Sequence, residues 1–301
     1  MIKKWLSRLG TFFLYLVSLL PFWFLYLVSD VLFVILYYIT RYRRNVVQEN
    51  LSNSFPEKTA EERKAIEKRY YKYMADLMVE TIKCVTASEK EIRKRMVPAN
   101  ADVVERYFSE GKSIVAATGH YCNWEMSCLR FGMLTDHRRI IIYKPQSNEV
   151  FTDFFNKTRS RFGSNMIAMK QTLRKLIEYK NEITFTVLAS DQTPTLQDSK
   201  YFINFLNHPT AVFLGVEKLG QLGNSVVVFF DVDYIKRGYY SYSVVPLCEN
   251  PKEAKPFEIT KLHVKHLENV IRNKPEYWLW SHRRWKFKPE NIHHLEVELI
   301  G

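Results

Sequence analysis

The chain has 301 residues, room for one large domain with a substantial core and no need of a second. It carries 44 Lys and Arg against 32 Asp and Glu, a net charge of +12, which points to anionic partners: phospholipid headgroups, a phosphorylated substrate or an acidic carrier protein. Nucleic acid is set aside, because the sequence has no zinc-finger spacing, no aromatic RNA-binding signature and no basic-leucine-zipper pattern.

From Leu9 to Ser29 no charged residue interrupts the chain. At about 1.5 Å per helical residue, that stretch approaches the roughly 30 Å of a bilayer's hydrocarbon core. A second apolar run, Val31 to Thr40, follows directly after Asp30, and no small-x-small cleavage site intervenes, so residues 1–44 read as a retained membrane anchor rather than a secretory signal. Lys3, Lys4 and Arg8 precede the apolar region and Arg41, Arg43 and Arg44 follow it. Positive charge at both ends fits a bent or re-entrant helix pair, with both ends in the cytoplasm, better than a single span. Pro21 and Asp30 also count against a single span, and Trp23 and several Tyr residues suit an interface; the alternative is a buried hairpin of a soluble protein.

Residues 45–301 form the second unit, with a helical lead-in at 45–100 and an α/β core at about 101–290. Thr59 with Glu62, and Ser88 with Glu91, have the S/T-x-x-E spacing of a capping box, each opening a stretch rich in Glu, Lys, Arg and Ala. From residue 113 the pattern changes to short β-branched or aromatic runs: SIVAAT, RRIIIY, ITFTVLAS, SVVVFFDV and YYSYSVV. Segments of helical character separate them, which predicts an α/β fold around a central mixed sheet flanked by helices. Cys84, Cys122, Cys128 and Cys248 show no CxxC pair and lie in such elements, which argues against a disulfide scaffold and for a reducing compartment.

The segment SIVAATGHYCNWEMSCLRFGM carries the chemistry. An apolar strand ends at Gly119, His120 follows in the turn, and Asn123 caps a helix beginning at Trp124. Glu125 lies five positions after His120, which on one continuous helix would rotate the two apart; with His120 in the turn and Glu125 in the first helical turn they can meet. The carboxylate then accepts from one imidazole nitrogen and leaves the other to take a proton from a hydroxyl. The end of a strand is also where open α/β sheets place their sites. Cys122, between the two, opens a second reading: a Cys–His acyl-enzyme, which needs a thiol of lowered pKa.

GHYCNWE resembles the H-x4-D/E motif of glycerolipid and lipid A acyltransferases. Further matches follow in order: YKPQSNEVFTDFFNKTRSRFG resembles the Y-R/K-P…N…R-x-R segment of the late lipid A acyltransferases. ASDQTP is similar to their Asp-containing strand end, YFINFLNHPTAV to F-V-x-F-F-G-x-P-A, and YWLWSHRRWKFKP to a segment near Y-M-W-x-H-R-R-F-K-T-R-P. Five ordered matches over residues 110–290 are far more specific than one motif. The resemblance implies an O-acyltransferase that needs no cofactor and uses an acyl carrier protein or coenzyme A thioester as co-substrate. The acceptor it implies is a hydroxyl, of a 3-hydroxyacyl chain, on a lipid A precursor at the cytoplasmic face of a Gram-negative inner membrane. It carries over His120 as base, Glu125 as its partner, Arg159 as first Arg of R-x-R, and Asp191 of the DQ pair. Trp285 stands where relatives often have Phe, and Lys144 where Arg is frequent.

Arg159, Arg161 and Asp191 contact substrate or form a structural ion pair; residue types alone leave both open. Arg283, Arg284, Lys286 and Lys288, interleaved with Trp280, Trp285 and Phe287, read as an amphipathic edge near lipid or phosphate, or as a solvated basic face. The two tryptophans favour phosphate contact for Arg283 and Arg284. His263 with His266, and His293 with His294, lack a convincing third ligand, so no metal is expected. The rival functions are acylation of another glycolipid or an aminolipid, and a non-catalytic basic membrane-binding protein.

Overall fold

The computed structural model describes residues 2–100, 102–291 and 297–300. Its centre is a seven-stranded sheet, and its strands, in chain order, are β1 (Met96–Pro98), β2 (Ile114–Thr118), β3 (Arg138–Tyr143), β4 (Ser164–Ala168), β5 (Thr184–Ala189), β8 (Val226–Lys236) and β9 (Tyr239–Cys248). The spatial order is β1-β9-β8-β2-β5-β3-β4, and all neighbours are parallel except β8 and β9. The sheet is therefore mixed, as expected, and the five anticipated strands are present. β2 lies at its middle, and four of its five residues are buried, the pattern of a strand covered on both faces.

A small second sheet, β10-β6-β7, was not expected. Strands β6 (Tyr201–Phe205) and β7 (His208–Val212) form a hairpin turned by Leu206 and Asn207, both at positive φ (51° and 66°), and β10 (Glu298–Leu299) runs parallel to β6. Leucine at a left-handed turn position and Pro209 inside β7 mask the usual hairpin signal.

The uncharged N-terminal run is not one helix. It breaks at Leu19–Pro21 into α1 (Ile2–Ser18) and α2 (Phe22–Val34), and a π-helical turn extends α2 to Ile39. Proline cannot donate a helical hydrogen bond, so the interruption falls where its ring does. Phe22–Ile39 is the one stretch, among the described residues, long and apolar enough to cross a membrane. One face of α2 is engaged: Tyr26 donates to Glu80 (2.9 Å), Ser29 to Asp76 (2.6 Å), and Asp30 accepts from Arg237 (2.7 Å) and Lys72. Trp23, Leu27, Val31 and Val34 are exposed.

Helices α3 (Arg44–Ser54), α4 (Ala60–Lys83) and α5 (Glu89–Arg95) fill the lead-in. Thr59 and Glu62 make both bonds of the capping box, and the Ser88 side chain accepts from the Glu91 N–H (3.2 Å). Helices α6 (Asp102–Ser109), α7 (Trp124–Phe131), α8 (Glu149–Arg159), α9 (Thr172–Glu178), α10 (Gly215–Gly223) and α11 (Glu258–Asn273) complete the fold. Tyr70, Tyr71 and Leu77 of α4 share one apolar core with β2, β5 and β8.

Candidate active site

Parallel register creates the central pair. Thr118 of β2 lies opposite Ala189 of β5, and the Ser190 N–H donates to the Thr118 carbonyl (3.1 Å), so the chains leave the sheet side by side. Two residues beyond these partners stand His120 and Asp191. Asp191 is buried and accepts three bonds: from the His120 N–H (2.8 Å), from Trp278 Nε1 (2.9 Å), and at its other oxygen from His120 Nδ1 (2.7 Å). The hydrogen-bond network assigns the proton to Nδ1 and leaves Nε2 as acceptor, with the Gln192 amide 3.2 Å away.

Burial alone pushes the imidazolium pKa down, but the charge and hydrogen bond of Asp191, together with Glu125, outweigh it, and His120 ends above its ordinary 6.5. Burial alone raises Asp191, but His120 and the Trp278 and backbone donors prevail, and its carboxyl is held down to about 2.

The expected His120–Glu125 contact is corrected by this geometry. Asn123 caps α7 by accepting from the Met126 N–H (2.8 Å), which sets Glu125 in the first helical turn, facing the end of α8. There both carboxylate oxygens accept from Arg159, at 2.8 Å from Nε and 2.5 Å from Nη2. The partner that orients His120 is Asp191, whose register position beats sequence proximity. Glu125 still acts on His120 through its charge.

A cavity of about 660 Å³ opens against His120. Phe131, Ile141, Val187, Leu219 and Phe230 line it with hydrocarbon, Arg159 and Gln192 add polar groups, and Lys144 and Lys218 contribute exposed ammonium groups. That is the usual composition of a small-molecule site: apolar walls with few, placed polar atoms.

Cys122 is fully buried at φ +50°, and burial raises its thiol well above the ordinary value, so it stays protonated. It does not line the cavity. Cys122→Ala should therefore retain substantial turnover; a dead variant, with a hydroxylamine-sensitive acyl group trapped on wild-type Cys122, would restore the nucleophile reading.

The remaining basic candidates divide. Arg161 donates to the carbonyls of Cys84 (2.8 Å), Val85 (2.7 Å) and Ala87 (3.1 Å), so it closes the end of α4, and it does not line the cavity. Arg284 is 3 % exposed, donates to the Ala211 carbonyl (2.6 Å), and is held down to about 10 by burial. Arg283, Lys286 and Lys288 are exposed. Trp280 is fully buried and donates to the Pro275 carbonyl (2.6 Å), and the Trp285 indole donates to Thr210 Oγ1 (2.7 Å). Neither tryptophan places Arg284 beside lipid: the segment runs through successive turns, and they bury Arg284 while leaving its neighbour Arg283 exposed.

Sequence reasoning missed Trp278, Gln192 and His282. His282 Nε2 accepts from the Thr193 N–H (3.2 Å), and burial lowers its pKa to about 4, which keeps it neutral. The WLWSH run was visible, but its indole–carboxylate bond spans 87 residues. Of the histidine pairs, His263 is buried, His266 faces Asp231 (3.3 Å), and His293 and His294 lie outside the described residues.

A histidine held at Nδ1 by a carboxylate, beside a hydrocarbon-lined cavity, is an arrangement suited to acyl transfer. A family model described as bacterial lipid A biosynthesis acyltransferase matches residues 1–287, so the chain belongs to that family and is an acyltransferase. It is similar to the lipid A biosynthesis lauroyltransferase of Escherichia coli K12, 24% identical over 295 residues that cover 96% of this chain and 94% of that one. The lipid A biosynthesis acyltransferase of Haemophilus influenzae is 22% identical over 283 residues, covering 92% and 86%. The palmitoleoyltransferase of E. coli K12 is 22% identical over 291 residues, covering 95% and 93%.

Proposed function

We propose that this enzyme transfers a fatty acyl chain from an acyl carrier protein thioester to a hydroxyl, on a 3-hydroxyacyl chain of a lipid A precursor, at the cytoplasmic face of the inner membrane. The observation that carries the reading is the His120–Asp191 pair beside the apolar cavity. Asp191 holds the Nδ1–H, so Nε2 takes the proton of the acceptor hydroxyl as its oxygen attacks the thioester carbon. The carbon–sulfur bond breaks, and the same proton passes to the departing thiolate, giving an ester and a free thiol. The cavity walls take up the acyl chain, and Lys144 and Lys218 receive anionic groups of donor or acceptor. Glu125 and Arg159 neutralise each other, which keeps the wall beside His120 free of unpaired charge.

Membrane seating is supported by the exposed apolar residues of α1 and α2, among them Trp5, Phe12, Phe13, Trp23 and Leu27. The test mixes purified protein in phospholipid vesicles with a lipid A precursor and either acyl carrier protein or coenzyme A thioesters, and reads products by mass spectrometry. The expected product is the precursor carrying one more ester-linked acyl chain, formed fastest from the carrier-protein donor. Acylation only of another glycolipid or of an amine would replace the acceptor. Tight vesicle binding without any transfer would favour a binding module.

A further inference from the structure

Glu80 is fully buried in α4, away from the cavity, yet three elements converge on it. Its Oε1 accepts from the Tyr26 hydroxyl of α2 (2.9 Å), and its Oε2 accepts from Asn123 Nδ2 (2.7 Å) and from the Tyr240 hydroxyl of β9 (2.7 Å). A buried carboxylate with three donors is fixed in place, because moving it would leave polar groups unpaired in the core. Asn123 is itself fully buried; its other amide atom caps α7, and it follows Cys122, held in the left-handed region. The turn between His120 and Glu125 is thus tied to the Glu80 side chain, beside the backbone bond from the Cys122 N–H to the Tyr277 carbonyl (3.0 Å). The same side chain is tied to α2, whose opposite surface presents Trp23, Leu27 and Val31.

We propose that Glu80 is a positioning residue for the transfer reaction, through which the seating of α2 fixes the Cys122–Asn123 turn and with it His120 and Glu125. This inference rests on the transfer reading above. A reacting group displaced by about 1 Å can cost on the order of 100-fold in rate, so a loosened turn should act on kcat while substrate affinity, set by the cavity, stays nearly constant.

The full-length protein in phosphatidylethanolamine–phosphatidylglycerol vesicles is assayed for kcat and KM, with thermal unfolding as a check on folding. Asn123→Ser keeps an oxygen to cap α7 but cannot reach Glu80, and Glu80→Leu removes the acceptor; each should lower kcat by roughly 10- to 100-fold. KM should hold within about twofold. The double variant should be no worse than the poorer single, since both cut one link. Glu80→Gln, which keeps an accepting oxygen, should retain most of the turnover. Tyr26→Phe should lower kcat several-fold, with co-sedimentation on vesicles unchanged. Should Glu80→Leu not fold, Asn123→Ser and Tyr26→Phe decide alone. Folded Asn123→Ser with wild-type kcat, or losses that multiply in the double variant, would overturn the positioning role; wild-type kcat in Tyr26→Phe would overturn the link to α2. If wild type itself shows no turnover, the transfer reading falls first and this one with it.

Discussion

Replacing His120 by alanine is expected to lower kcat by about 10²–10⁴-fold, the usual contribution of a general base, in a protein that remains folded. The expectation follows from its place: the side chain keeps 22% of its surface exposed and lines the cavity, and its Nε2 is free of any carboxylate. KM for the acyl donor should change little, because the hydrocarbon walls remain. Steady-state kinetics checks this, with circular dichroism to confirm the fold; near-normal turnover in folded His120→Ala would remove the proposed base.

Asp191→Asn should cost a comparable factor by another route. An amide in place of the carboxylate can still accept from Nδ1 but cannot stabilise the imidazolium that forms when Nε2 takes a proton. Its amino group also has to face one of three donors now satisfied by two oxygens, His120 N–H, Nδ1–H or the Trp278 indole. The substitution should therefore lower stability as well, with a definite pH dependence. Asp191 is lowered in the folded protein, so its contribution is present above its ordinary 3.8 and fades as pH falls toward about 2. His120 is raised, so its contribution is present below 6.5 and fades as pH rises through its folded value. Urea unfolding of wild type and Asp191→Asn should differ most between those two values. A gap that grows steadily toward pH 9 would contradict the assignment of charges.

What could be read from the sequence follows from how far each interaction reaches along the chain. β2, β3 and β5 were legible because the buried stretches of strands covered on both faces are dense in apolar and β-branched residues, as at Ile114–Ala117, Ile140–Ile142 and Thr184–Val187. The Asn123 cap was legible because it spans three residues. The partner of His120 was not, since nothing local announces that two parallel strands 71 residues apart will end in register. Proximity favoured Glu125, and register chose Asp191. Arg161 shows the same limit, for the carbonyls it closes lie 74 to 77 residues upstream. In the SHRRWKFKP run, composition announced charge but could not say which side chains turn inward; Arg284 does, while Arg283 does not.

The pH dependence of kcat/KM in wild type and Asp191→Asn shows whether a neutral His120 held by Asp191 is the base. Turnover needs Nε2 unprotonated, so the rate should rise with pH through a limb lying above 6.5, and removing the Asp191 charge should move that limb to lower pH while depressing the plateau. A limb that stays in place in Asp191→Asn would show that the titrating group is not His120 paired with Asp191, and His120 would then not be the base.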